Sequence, residues 1–122
     1  MGQKIKLLIV DDDRGDRRLM EAAAQNAGLD VEIHTAESGE KGIAMIEGLK
    51  PGVVILDTLM PGLDGFQTCK KIKEQDERVK VIICTGIVDA VDAGKARAVG
   101  ADDYCVKTAD YAPLIGAIKQ LI

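Results

Sequence analysis

The chain has 122 residues, 20 acidic and 16 basic, for a formal net charge of −4, and 47% of it is apolar. That length suits one domain, residues 1–122, and that apolar content excludes intrinsic disorder. Phe66, Tyr104 and Tyr111 are its aromatic residues, so the core must be aliphatic, and the scarce rings and acidic balance argue against direct nucleic-acid binding.

In chain order, Ile5–Val10 is a short apolar run ended by Asp11, Asp12 and Asp13, which reads as a buried strand. Helix formers follow over Asp16–Ala27, with Gly28 where a C-terminal cap glycine belongs. Val31–His34 is a weaker strand, with His34 as a plain edge residue. Ser38 suits an N-cap for a helix through Leu49, which Pro51 stops. Val53–Leu56 is a run of aliphatics ended by Asp57, and Met60–Gly65 is a Pro- and Gly-containing loop. Phe66–Glu74 reads as helix and Val79–Cys84 as a strand. Ala90–Val99 reads as an alanine-rich helix and Asp102–Val106 as a short strand. Tyr111, Leu114, Ile115, Ile118 and Ile122 then mark one face of a final helix. Asp102 and Asp103 are expected to be solvated charges.

Cys69, Cys84 and Cys105 are widely spaced, with no Cys-x-x-Cys and a single histidine. Three small, mostly buried thiols in a reducing, cytoplasmic setting are expected rather than a zinc site. No apolar run approaches the ~20 residues of a membrane span. The start has no signal-peptide layout, because the apolar run Leu7–Val10 is short and meets three aspartates.

Strands and helices alternating in this way predict an α/β protein of (βα)5 type. Its five-stranded, doubly wound parallel sheet has the flavodoxin-like order 2-1-3-4-5. Ligands in such sheets bind beyond the carboxyl ends of the strands. There the tips place Asp11, Asp12, Asp57, Thr85 and Lys107 in one crevice. Several close carboxylates need a counter-charge, and one lysine does not suffice. Mg2+ takes such oxygens together with phosphate and water. With a lysine and a hydroxyl it makes a phosphate-binding set. A carboxylate so placed can also be a nucleophile that forms an aspartyl-phosphate. Asp57, alone at the end of a central buried strand, is the best candidate.

Four motifs carry a resemblance across essentially the whole chain. They are Ile-Val-Asp-Asp-Asp at 9–13, Leu-Asp-Thr-Leu-Met-Pro-Gly-Leu-Asp-Gly at 56–65, Cys-Thr-Gly at 84–86 and Gly-Ala-Asp-Asp-Tyr-Cys-Val-Lys at 100–107. In that order, the chain resembles a two-component response-regulator receiver domain of the chemotaxis-regulator type. The resemblance implies phosphorylation of Asp57 by a sensor histidine kinase or a histidine phosphotransfer protein. It implies Mg2+ held by Asp12 directly, Asp11 through water, Asp57, and the backbone carbonyl of Leu59. Lys107 would pair with the phosphoryl group, or with Asp57 before phosphorylation. Thr85 would bond a phosphoryl oxygen, and Tyr104 would turn inward as the switch aromatic. Asp13 falls outside the pair and reads as a helix N-terminal charge. The implied output is a repacked face formed by the fourth helix, fifth strand and fifth helix, with a homodimer or an effector protein as its reader. The chain would be no enzyme beyond its own phosphorylation and slow dephosphorylation.

The pattern departs from the family in three places. Thr108 stands where the family has a proline after the lysine, so the Lys107–Thr108 peptide is either trans with a rearranged loop or a strained cis bond. Leu59 and Ile87 occupy the two positions that tune dephosphorylation in the family. Neither can orient a water, both would add apolar cover, and a long-lived phosphoryl group is expected. Three other readings compete. An aspartate-nucleophile phosphatase lacks its second carboxylate, since Asp57-Thr58-Leu59 is not Asp-x-Asp. A flavin mononucleotide binder would meet three repelling aspartates. A degenerate receiver would act as a phosphorylation-independent interaction module. The sequence leaves the kinase, the effector and a stand-alone or excised origin open.

Overall fold

A computed structural model describes residues 4–87 and 89–122. Met1–Gln3, part of the start read above against a leader, lie outside that range. The elements are β1 (Ile5–Val10), α1 (Arg14–Asn26), β2 (Val31–Ala36), α2 (Gly39–Leu49) and β3 (Val53–Asp57), then α3 (Gly65–Gln75), β4 (Lys80–Thr85), α4 (Ala90–Ala98), β5 (Asp103–Val106) and α5 (Ala112–Leu121). The strands pair in parallel in the order β2-β1-β3-β4-β5, the flavodoxin-like order expected from the sequence.

Alternation along the strands splits the core into two layers. Leu8, Val10, Val54, Leu56, Val81 and Ile83 pack with Ile46 of α2, Cys69 and Ile72 of α3 and Ala96 of α4. Leu7, Ile9, Val53, Ile55, Ile82 and Cys84 face the other way, onto Met20 and Ala24 of α1 and Leu114, Ala117 and Ile118 of α5. Both sheet faces are covered, which is why β1, β3 and β4 read as continuous apolar runs instead of alternating ones. Two helices on one side and three on the other follow from right-handed crossovers around the reversal between β1 and β3. That reversal opens the crevice at the tips of these two strands.

Several boundaries differ from the sequence reading. α1 begins at Arg14 because Asp13 is its N-cap, its carboxylate accepting from the Asp16 amide at 2.7 Å. β2 runs two residues further than expected. Tyr111 does not belong to α5. It adopts a left-handed backbone at φ 55°, caps the helix and is buried on the α1/α5 side. Ile122 lies past the end of α5 and is exposed. Asp102 is exposed, as expected, but its carboxylate is engaged: it accepts from Lys73 Nζ at 2.7 Å and from the Val81 amide at 2.8 Å, tying α3, β4 and the approach to β5 together. The three thiols are free, Cys69 and Cys84 buried and Cys105 half-buried, and burial pushes the Cys69 thiol up to about 11. Among the described residues, no helix is long and apolar enough to cross a membrane.

Candidate functional site

Each strand tip delivers one part of the crevice. β1 runs straight into Asp11, whose amide continues the sheet by donating to the Ala36 carbonyl at 3.1 Å. Asp11 is therefore fully buried, while Asp12 turns outward and is exposed. Asp57 is the last residue of β3. Asp11, Asp12 and Asp57 each offer an oxygen within 4.8 Å of the others. Thr85 ends β4. Lys107 follows β5 and is tied to the tip of β4, its amide donating to the Thr85 carbonyl at 2.7 Å.

Lys107 is the hub. Its ammonium donates to Asp11 Oδ2 and to Asp16 Oδ2, each at 2.7 Å, and lies 3.4 Å from Asp57 Oδ1. The expected partner, Asp57, is thus the most distant of three. The described peptide bonds contain no cis bond, so Lys107–Thr108 is trans, and the lysine reaches the crevice without the family's proline. Asp57 Oδ1 accepts from the Thr58 amide at 2.9 Å. Asp11 accepts from the Asp13 amide at 2.9 Å, and its carbonyl takes the Arg17 guanidinium at 2.8 Å.

The hydroxyl of Thr85 donates to the Ile87 carbonyl at 3.1 Å and lies 3.2 Å from the Thr58 hydroxyl. The ring of Tyr104 packs on the layer with α2, α3 and α4. Its hydroxyl is buried and meets no hydrogen-bond partner among the described residues. Leu59 and Ile87, expected to cover the site, point outward and are 80% and 79% exposed. Gly65, the first residue of α3, presses against the β3 tip, and any side chain there would overlap the Asp57 carbonyl.

The electrostatics follow from this crowding. Burial, reinforced by the charge of Asp11, pushes the Asp57 carboxyl up to about 6 against the pull of Lys107 and the Thr58 amide. Burial also raises Asp11, with Lys107 and the Asp13 amide opposing. Burial alone would lower Lys107, but its bonds to Asp11 and Asp16 outweigh that and hold its ammonium above the ordinary lysine range. Three carboxylates, Asp11, Asp16 and Asp57, thus gather around one ammonium, and Asp12 adds a further charge within 4.8 Å of Asp11 and Asp57. A set of close, hard oxygen donors with surplus negative charge fits a small divalent cation.

Asp16 and Thr58 are parts of this crevice that sequence reasoning missed. Asp16 was read only as a helix start. A carboxylate in the first turn of the helix after β1 faces the same tips as Asp11, and that register was the available signal.

The response regulator receiver domain family model matches residues 7–119. The chain belongs to that family. This receiver domain is 35% identical over 117 residues to the protein PilG of Pseudomonas aeruginosa, covering 94% of this chain and 85% of PilG. It is 33% identical over 116 residues to the transcriptional regulatory protein AfsQ1 of Streptomyces coelicolor, covering 95% of this chain and 50% of AfsQ1. The receiver spans about half the length of AfsQ1 and of a Cyanophora paradoxa relative, 50% and 48%. Among solved structures, it matches the chemotaxis protein CheY4 of Vibrio cholerae with TM-score 0.88 at 25% identity, covering 98% of this chain and 100% of that one. The response regulator TrrA of Thermotoga maritima, solved in complex with Mg2+ and beryllofluoride, matches with TM-score 0.86 at 30% identity, covering 97% and 99%. As the receiver domain of a two-component response regulator, the chain serves phosphorelay signalling.

Proposed function

We propose that Asp57 accepts a phosphoryl group from the phosphohistidine of a sensor kinase or phosphotransfer protein, and that the receiver switches on this modification. The observation that carries the reading is the convergence of Asp57 with two further carboxylates, one lysine and one threonine hydroxyl at the strand tips. An Asp57 oxygen attacks phosphorus, the P–N bond breaks, and its electron pair leaves with the imidazole. Asp11, Asp12, Asp57 and the Leu59 carbonyl would hold Mg2+. That ion, when bound, offsets the gathered negative charge and stabilises the oxygens of the transferring group.

The remaining work belongs to the chain. Lys107 brings a cation that its carboxylate partners keep protonated. The modified side chain gains about −1.5 to −2 charge and strong acceptor oxygens. Lys107, 3.4 Å from Asp57, and the Thr85 hydroxyl at the tip of the neighbouring strand are the groups that would satisfy them. Thr85 must then leave the Ile87 carbonyl, which loosens the β4–α4 loop. Tyr104, half-buried and with a hydroxyl that meets no partner among the described residues, follows as the switch aromatic. α4 yields easily, since Ala96 is its one residue described as buried. The α4–β5–α5 face repacks and is read by an effector or by a second copy of the chain. On this reading the receiver acts on no external substrate and catalyses only its own phosphorylation and slow dephosphorylation. Its free thiols suit the cytoplasm.

Incubation with acetyl phosphate and Mg2+, followed by intact mass, tests the proposal. The wild type is expected to gain one phosphoryl group and Asp57→Asn none. No gain in the wild type would leave the phosphorylation-independent module in its place.

A further inference from the structure

Asp16 is neither phosphoacceptor nor cation ligand in the phosphoacceptor reading, yet it makes one of the two shortest contacts to Lys107. Its position is built in. Asp13 caps α1 through the Asp16 amide, which sets the first helical turn beside the tip of β1. The side chain of Asp16 is one-third exposed, whereas that of Lys107 is 11% exposed. On the other side, the loop after β5 is also pinned. The Lys107 amide bonds the Thr85 carbonyl, Thr108 Oγ1 bonds Asp110, and the Tyr111 amide bonds the Thr108 carbonyl at 3.1 Å. Lys107 thus enters the crevice from a fixed loop along a trans backbone and is shared between β1, α1 and β3.

The three partners are not equivalent. Asp11 and Asp57 belong to the carboxylate cluster at the strand tips. Asp16 does not; among the described residues its carboxylate bonds only Lys107. When charge accumulates on Asp57, the ammonium is drawn toward it, and the Asp16 contact is the one that must lengthen. We propose that Asp16 is a positioning residue, a latch that holds the Lys107 ammonium toward α1 in the unmodified protein and so opposes the phosphorylated state. This rests on the phosphoacceptor reading above. An ion pair with one partner still one-third exposed has a modest strength, so the latch biases the switch without locking it.

The test is a double-mutant cycle read by binding of beryllofluoride, a phosphoryl mimic, at fixed Mg2+. Asp16→Asn is expected to bind it about three- to tenfold more tightly than the wild type, and Asp16→Glu is expected to restore wild-type affinity. In a Lys107→Gln background, Asp16→Asn should change nothing. Equal tightening in that background would mean a general charge effect and overturn the latch, as would no tightening at all. A second readout needs neither ligand. In the metal-free protein, the Lys107 ammonium resonance in nitrogen-15 spectra should shift with Asp16→Asn and return with Asp16→Glu. An unmoved resonance overturns the latch even where affinity changes. If neither the wild type nor any variant binds beryllofluoride, the phosphoacceptor reading fails first, and the latch fails with it.

Discussion

Asp57 holds a charge in a place that resists it. Its carboxyl sits near 6 because burial and Asp11 together outweigh Lys107 and the Thr58 amide. The unfolded chain releases the same proton near ~3.9. The folded state therefore binds this proton more tightly, so its contribution to stability rises as pH falls from about 6 toward about 4. At neutral pH the ionised side chain works against folding. Asp57→Asn is expected to stabilise the metal-free protein at pH 7 by about 1–2 kcal/mol and to flatten that part of the pH profile, measurable by urea unfolding. The same proton competes with a cation. Mg2+ affinity, followed by titration calorimetry, should weaken progressively below about pH 6. Leu59 bears on the product. It carries no polar atom that can orient a water, so Leu59→Asn is expected to shorten the lifetime of phosphorylated Asp57 several-fold in a phosphate-release assay. Leu59 points outward, so it gives the phosphoryl group no apolar cover and acts only by lacking a hydrogen-bonding side chain.

At the scale of elements, the site depends on how closely α3 approaches β3. Gly65 opens α3 with its amide on the Thr58 carbonyl at 3.1 Å, and a methyl group would collide with the backbone of Asp57. Backbone cannot swing aside as a side-chain end can. Gly65→Ala should cost roughly 2–4 kcal/mol and slow phosphorylation as well. Gly48, inside α2 with open space where a Cβ would stand, is the contrast. Gly48→Ala should stabilise by about 0.5–1 kcal/mol and leave phosphorylation unchanged. The elements themselves were legible because their signals are local: an apolar run of strand length, a cap residue, a glycine or proline stop. Ser38 caps α2 and Asp64 caps α3 through a reciprocal box with Gln67. Tyr111 was misread for the same reason. It matched the periodicity of α5, but the turn after Lys107 places it in a left-handed cap.

For the whole molecule, the sheet brings residues from 11 to 107 together at the carboxyl ends of its strands and leaves them with unbalanced charge. Ligand that binds the folded state alone stabilises it by mass action, by about 2.7 kcal/mol at a hundredfold excess over the dissociation constant. Mg2+ is expected to raise the thermal midpoint of the wild type and to do so much less in Asp57→Asn, as scanning calorimetry would show. The switch proposed for the α4–β5–α5 face sits where the packing is lightest, against a helix of small residues. Within that face α5 is the firmer element, since Leu114 and Ile118 pack with Met20 of α1 in the other core layer. On the proposed reading, that asymmetry assigns the larger movement to α4, with Ala96 as its buried residue, and the smaller to α5.

The sequence by itself determined the sheet order, the two-layer core and which residues stand at the strand tips. Apolar period, helix caps and the handedness of crossovers act locally and leave few topologies. Only the tertiary structure decided how the charges at those tips pair. Lys107 sits among Asp11, Asp16 and Asp57, and differences of 0.7 Å between 2.7 and 3.4 Å rank its partners. Such ranking depends on through-space distance and burial, which no spacing along the chain encodes. The same holds for Asp102, exposed as expected yet bracing α3 against β4. Strand tips follow from pattern, while the partners of a buried charge follow from the packing around it.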